Sequence, residues 1–460
     1  MPHETDSYLP LVNVVQLNPD GATYTLRFAT NGKRRHVNPQ RVRISVAEPC
    51  RSCFVIEGAT AHDSRPVCRW DIRYPIKGQM FEADLPPDFD ATTTTLLLRM
   101  VEGSEPLVIY SGNANDAGNA KDANAAELEF FYPHFLAERD ASPVEEMRRR
   151  LASHTVLTEF NWTAGNVLDG IMGGLYPDAE ARAIARYYLS NYIDFDGVDA
   201  NNPGRCPRYG VEDTAPFATI ARLAPEHPQI DIVRAFWKSR ADARGCTIEH
   251  GRAVAEGNYT VAYPKAVIAR TRRDEALARD ALTELTIRRE QLVTSEGIWL
   301  RAAHAGNPRT YLNWARGVAW YYLGLSATLA ELHAGGFDMG DLKDELLRAT
   351  DWICGWQRAD GLWGGFLHEV NTRAETSGSS GIAAGLAIGL HAGLLPSRFR
   401  ENARRAVAGL ERFLTPDGFL SGATQRNVHE AGEAFQRSDY RIISTYATGL
   451  FALALGRLKN

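Results

Sequence analysis

Six short stretches share an unusual inventory: Asn161-Trp162-Thr163, Tyr209 to Thr214, Glu256-Gly257-Asn258-Tyr259, Asn313 to Trp320, Glu375-Thr376-Ser377-Gly378 and Asp439-Tyr440-Arg441. Each sets a carboxylate, a Trp or Tyr, or an Arg just ahead of an apolar segment. Paired carboxylates can run acid–base chemistry, one giving a proton while the other activates water. Aromatic faces stack on the CH surfaces of sugar rings. A guanidinium on an otherwise apolar segment, as at Arg316, needs an anionic partner from the protein or from a ligand. Asp213 and Glu256 are among the carboxylates so placed. Trp162, Tyr259, Trp314, Arg316, Trp320, Glu375 and Ser377 are the candidates for ligand contact. Each has a plainer reading. Asp213 could cap a helix, Glu256 could be a solvated loop acid, Trp314 and Trp320 could be core, and Glu375 to Gly378 could close helix N–H groups.

These segments must be brought side by side, and the chain has two regions with different periods. Residues 1 to about 112 read as short strands, among them 23–30, 42–48, 53–59, 67–76, 92–101 and 106–110, rich in Thr, Val, Ile and aromatics and separated by turn clusters. Strands without intervening helices predict an antiparallel β-sandwich. The small, polar, aperiodic stretch 113–126 reads as a linker, so the first domain is placed at 1–140. From 141 to 460 the pattern is helical, opening on the capping box Ser142-Pro143-Val144-Glu145. Amphipathic helices such as 178–193 and 274–292 alternate with Gly- and Ala-rich apolar ones such as 379–395 and 444–458. A helix with no polar face must be buried on all sides, so the alternation predicts concentric rings. Apolar helices starting near Trp162, Asp213, Gly257, Trp314, Ser379 and Thr445 make six hairpins, an (α/α)6 toroid. The whole is an α+β multidomain protein, with the candidate residues at one mouth of the ring.

Composition narrows the function. Of 460 residues 44% are hydrophobic and 23% charged, ordinary globular usage. Lys and Arg number 51 against 56 Asp and Glu, with no basic run, which argues against nucleic acid as a partner. The N-terminus is acidic where a signal peptide is positive, and no apolar run is long enough to span a membrane, so the expected location is cytoplasmic. Cys50 and Cys53 form one CxxC, with only Cys68 near, which favours free thiols over zinc. No phosphate loop, dinucleotide fingerprint, HExxH or nucleophile elbow is present, and no cofactor or metal is expected.

At these residues the chain resembles glycoside hydrolase families 88 and 105, the unsaturated glucuronyl and unsaturated rhamnogalacturonyl hydrolases. Asn313 to Trp320 is similar to the W-x-R-G-x-x-W segment of that group, and Glu375 to Gly381 to its acid-(T/S)-S-x-(T/S)-A segment opening an apolar helix. The likeness covers roughly 145–460 and leaves the first domain unexplained. It implies an enzyme that protonates C4 of a 4,5-unsaturated uronic acid at the non-reducing end of an oligosaccharide and adds water at C5. In the family two aspartates enter the second and third inner helices. Asp213 matches the first by position, with Asp199 as a rival, and Glu256 stands where the second would be, so the resemblance implies Asp213 and Glu256 as the acid–base pair. Arg316 and the tryptophans would hold the uronate. A saturated exo-β-glucuronidase on the same toroid, a polysaccharide lyase using Tyr259 and Asn258, and a non-catalytic glycan-binding protein are the alternatives. The first domain could cover the ring mouth, pair two protomers as a homodimer, or simply stabilise.

Overall fold

The computed structural model describes residues 14–26, 40–60, 65–90, 95–111, 132–136, 139–153, 159–195, 210–428 and 431–459. The expected linker at 113–126 and the rival acid Asp199 lie outside the described residues.

The N-terminal region is built of antiparallel sheets. In the larger, the order is Thr23–Leu26, Leu96–Glu102, Cys53–Thr60, Pro66–Arg73. A smaller one places Arg41–Ser45 between Met80–Asp84 and His134–Phe135. Strand Pro66–Arg73 shows the period-2 pattern that drives this arrangement, with Cys68, Trp70 and Ile72 buried and Arg69 and Asp71 exposed. Trp70, Ile72, Phe54 and Ile56 from the larger sheet share one apolar core with Val42, Ile44, Phe81 and Ala83 from the smaller.

The remainder is a closed helical ring. Six inner helices, Trp162–Gly170, Phe217–Leu223, Tyr263–Arg272, Ala315–Gly335, Thr376–His391 and Thr445–Lys459, each pack on the next, and the sixth packs on the first. Outside them lie amphipathic helices, including Asp178–Leu189, Gln229–Ser239 and Leu342–Gly355, with buried apolar stripes and charged outer faces. Close approach explains the glycine content of the inner ring. A Cβ on Gly170 would run into the Gly449 carbonyl, where the first and last inner helices meet. Among the described residues no helix is long and apolar enough to cross a membrane.

The two regions are joined by a buried ion pair. Arg43, fully buried on its strand, donates to Asp417 at 2.6 Å and to Glu82 at 2.6 Å. Its guanidinium also lies over the Phe419 ring, 5.4 Å from the centroid. Asp417 sits in an acid–glycine turn whose Gly418 takes φ +90°, a backbone only glycine adopts without strain. Ala423 and Ile442 of the helical region complete the apolar core of the β-region.

Candidate active site

The ring mouth holds a cavity of 420 Å³ whose wall draws on the entrances of the inner helices and on the β-region. Its aromatic floor is built at helix starts. Asn161 caps the first inner helix, its Oδ1 accepting from the Thr163 N–H at 2.8 Å, and so sets Trp162 at the first helical position. The Trp162 ring meets Tyr446 with centroids 4.7 Å apart and meets Trp320 edge-on at 5.8 Å. Trp320 in turn stacks on Tyr259 at 5.9 Å. Four aromatic rings from four inner-helix segments thus form one surface.

Arg316 enters this floor one turn before Trp320 and is buried. Its guanidinium donates to the carbonyls of Thr424 and Gln425, at 2.8 and 2.6 Å, and to the Tyr446 hydroxyl. It lies 4.4 Å from the Trp314 ring centroid. Neutral oxygens and an aromatic face hold the group in place but do not cancel its charge. Among the described residues no carboxylate lies within 4.0 Å of it. A buried cation so arranged favours an anionic ligand in the cavity.

Three carboxylates line the cavity with that cation: Glu159, which accepts from the Asn161 amide at 3.1 Å, and Glu212 and Glu256, whose charges act on each other. The Glu256 Oε2 atom is buried and has no hydrogen-bond partner among the described residues. Burial raises the Glu256 carboxyl above its ordinary value, and Arg301 opposes the rise. Glu212 is pushed up further, first by burial and then by the negative charges of Glu256, Glu249 and Asp213. Like charges at close quarters oppose each other's ionisation, so both carboxyls hold their protons more tightly than usual, Glu212 the more strongly of the two.

The structure places the other sequence-derived candidates as follows. Glu256, Trp162, Tyr259, Trp314, Arg316 and Trp320 all line the cavity. Asp213 does not: its Oδ2 accepts from the Gly210 N–H at 2.8 Å, a local turn contact. The reason is the short 3₁₀ turn Glu212–Thr214, where consecutive side chains point about 120° apart, so Glu212 faces the cavity and its neighbour cannot. Glu375 and Ser377 are likewise absent from the lining. Glu375 is fully buried as the cap of the fifth inner helix, accepting from the Ser377 and Gly378 N–H groups, the Ser377 hydroxyl and the Thr424 N–H. The capping reading is the one that holds for both. By fixing Thr424, Glu375 also steadies the carbonyl that holds Arg316.

Several lining residues escaped the sequence reading. Glu212 is the immediate neighbour of Asp213. Tyr446 and Asn166 sit on inner helices without any motif, although Asn166 is fully buried with its Oδ1 unpartnered. Lys77, Gly78 and Gln79 come from the β-region, where nothing in the local pattern marks a site. Among the described residues no group of three or more His, Cys, Asp or Glu could hold a metal ion. Cys50 instead approaches Glu105 at 3.1 Å, and Cys68 is buried against Gly58.

Residues 259–458 match the family model described as Glycosyl Hydrolase Family 88. No curated protein matches the chain. Among solved structures, a possible member of the GH105 family from Salmonella enterica serovar Paratyphi A superposes with a TM-score of 0.58 at 16% identity, covering 70% of this chain and 96% of its own. A family 88 glycosyl hydrolase from Bacteroides vulgatus gives 0.54 at 14% identity, covering 74% and 99%. An unsaturated glucuronyl hydrolase from Bacillus sp. GL1, responsible for glycosaminoglycan degradation, gives 0.50 at 15%, covering 69% and 95%. These likenesses show a common fold.

Proposed function

We propose that this glycoside hydrolase, similar in its helical ring to families 88 and 105, removes a 4,5-unsaturated uronic acid from the non-reducing end of an oligosaccharide by hydration of the double bond. The observation that carries this reading is Arg316, a buried guanidinium with no carboxylate within 4.0 Å among the described residues, on an aromatic floor in one cavity with two carboxyls that burial raises above their ordinary range. A uronate carboxylate on Arg316 would place the sugar ring against Trp162, Trp320 and Tyr446. Glu212 takes the role of acid in place of Asp213, and Glu256 the role of base. Glu212 gives its proton to C4, positive charge develops at C5 where the ring oxygen shares it, and water attacks C5 as Glu256 takes the water's proton. The C5 hemiketal opens, and the resulting C1 hemiacetal releases the second sugar. Proton return from Glu256 to Glu212 resets the pair.

The pH dependence follows from the directions of the two shifts. As pH rises through the elevated Glu212 value the acid is lost, and as pH falls through the Glu256 value the base is lost. The expected profile of kcat/KM is a bell with both limbs above the usual carboxylate range, and Glu212→Gln removes the alkaline limb. A profile flat from pH 4 to 9 would contradict the assignment.

Arg316→Ala is expected to raise KM for a unsaturated uronyl disaccharide by about 10- to 100-fold, the equivalent of a lost hydrogen bond between charged groups. Steady-state kinetics check it, and an unchanged KM would dissociate the arginine from carboxylate recognition. The reading as a whole is tested by offering the unsaturated disaccharide beside its saturated glucuronide and measuring release of the reducing sugar. Turnover of the unsaturated substrate alone supports hydration, whereas preference for the saturated one makes the cavity an ordinary glucuronidase site.

A further inference from the structure

Glu256 is the third residue of a tight turn, Val254 to Gly257, and the outer helix Glu275–Leu292 braces that turn from behind. Arg288, fully buried on this helix, donates through Nε to the Val254 carbonyl at 2.9 Å and through Nη2 to the Thr247 carbonyl at 2.6 Å. The Gly257 N–H donates to the same Val254 carbonyl at 3.2 Å, so the guanidinium clasps the turn at the atom that closes it. Gly257 lies directly against Arg288: a Cβ there would run into its Nη2, Cζ and Nε atoms. The Gly257 φ of −63° is open to any residue. Glycine therefore serves closeness to the guanidinium here and not an unusual conformation.

The charges behind the turn do not balance. Glu284, one helical turn before Arg288, accepts from Arg288 Nη1, from the Lys265 ammonium on the third inner helix and from the Thr247 N–H and hydroxyl. Burial alone would raise the Glu284 carboxyl, but Arg288 and Lys265 outweigh it and hold the group at about 2. Arg288, Lys265 and Glu284 are all buried, and among the described residues neither cation has a second carboxylate within 4.0 Å. Burial pushes the neighbouring Cys246 thiol up to about 12, so it adds no charge. Two cations and one anion leave a surplus positive charge beside the Glu256 turn. Glu256 is faced from its other sides by Arg301 on strand Gly297–Arg301, Arg252 on its own loop and Arg316, and by the carboxyls of Glu249 and Glu212.

We propose that Arg288 is a positioning residue for Glu256: its two carbonyl contacts fix the turn that aims the carboxyl, and the surplus charge of its cluster favours Glu256 as the ionised partner of Glu212, the form a base requires. The inference rests on the function proposed above. Arg288 is no part of the cavity wall and meets neither substrate nor the reacting atoms.

Three variants separate the clasp from the charge. Arg288→Met removes both, Arg288→Lys keeps the charge but loses the planar fork, and Gly257→Ala keeps the charge while driving the guanidinium off the turn. With an unsaturated uronyl disaccharide, kcat is expected to fall about tenfold or more in all three while KM stays within about twofold, since no substrate contact is touched. The acid limb of kcat/KM should rise by about one pH unit in Arg288→Met and stay near its native position in Arg288→Lys. A purely structural role would lower the melting temperature and leave that limb where it is. Glu256 is also titrated without turnover. In protein carrying carbon-13 at the glutamate carboxyls, the resonance missing from Glu256→Gln belongs to Glu256, and its midpoint should rise in Arg288→Met. A native midpoint there overturns the proposal, and so does native kcat in both Arg288→Lys and Gly257→Ala, which decide the matter if Arg288→Met does not fold. A shifted midpoint in a protein that leaves the unsaturated disaccharide intact would uphold the positioning role while removing the hydration reading.

Discussion

Glu256→Gln and Glu212→Gln are each expected to lower kcat by about 10²- to 10⁴-fold, the usual worth of a positioned acid or base. Neither change alters side-chain shape, and neither carboxyl belongs to an ion pair among the described residues, so the ring should fold normally. Removing one negative charge from a crowded group should, if anything, favour the folded state, because burial raises both carboxyls. The double variant should lose little more than the worse single one, since the two act on one proton and one water. Asp213→Asn is expected to cost less than either, because its carboxylate serves a turn. Steady-state kinetics beside a thermal melt separate these outcomes. Full turnover in Glu256→Gln would remove the base from the mechanism, and a larger loss in Asp213→Asn than in Glu212→Gln would return the acid role to Asp213.

The second large effect concerns the joint between the two regions. Arg43→Ala leaves Asp417 and Glu82 facing an empty buried site, and breaking a buried pair in this way costs about 3–5 kcal/mol. Replacing Arg43 and its fully buried partner by apolar residues, Arg43→Met with Asp417→Leu, should restore much of the loss, because the carboxylate that remains, Glu82, keeps its pairing with Arg41. Chemical denaturation followed by circular dichroism reads the difference. The acid sensitivity of the joint has a definite sign. Burial alone would raise the Asp417 carboxyl, but the Arg43 guanidinium outweighs it and holds the group at about 2. Its contribution is therefore full above the unfolded value of about 3.9 and is lost as pH falls toward the folded one. A single-variant stability equal to that of the native protein would show that the pair does not carry the joint.

The ring could be read from the chain because its physical requirements are strong. Thr376–His391 and Thr445–Lys459 have no polar face, and such helices are stable only inside a second layer. Trp162, Trp314, Arg316 and Trp320 stand out in the sequence because aromatic groups and an arginine recur at the starts of apolar helices, where core packing accounts for the tryptophans but not for the cation. The choice between Glu212 and Asp213 is not legible in the sequence, since two adjacent acids in one short turn point to different sides and only the packing of that turn in the ring decides which of them meets the cavity. Glu375 and Ser377 misled for a related reason: an acid that caps a buried helix and an acid that meets a ligand occupy the same kind of sequence. Lys77 and Gln79 were out of reach altogether. Their place in the cavity depends on a contact such as Gln79 with Gln425, 346 residues apart, which no local pattern encodes.

The most direct test of hydration at C4–C5 is turnover of an unsaturated uronyl disaccharide in deuterium oxide, followed at once by ultraviolet absorbance and by nuclear magnetic resonance of the product. The expected result is loss of the double-bond absorbance in step with sugar release and one deuterium at C4 of the released uronyl product, delivered from the acid. Sugar release with the double bond intact, or with no deuterium at C4, would contradict the mechanism.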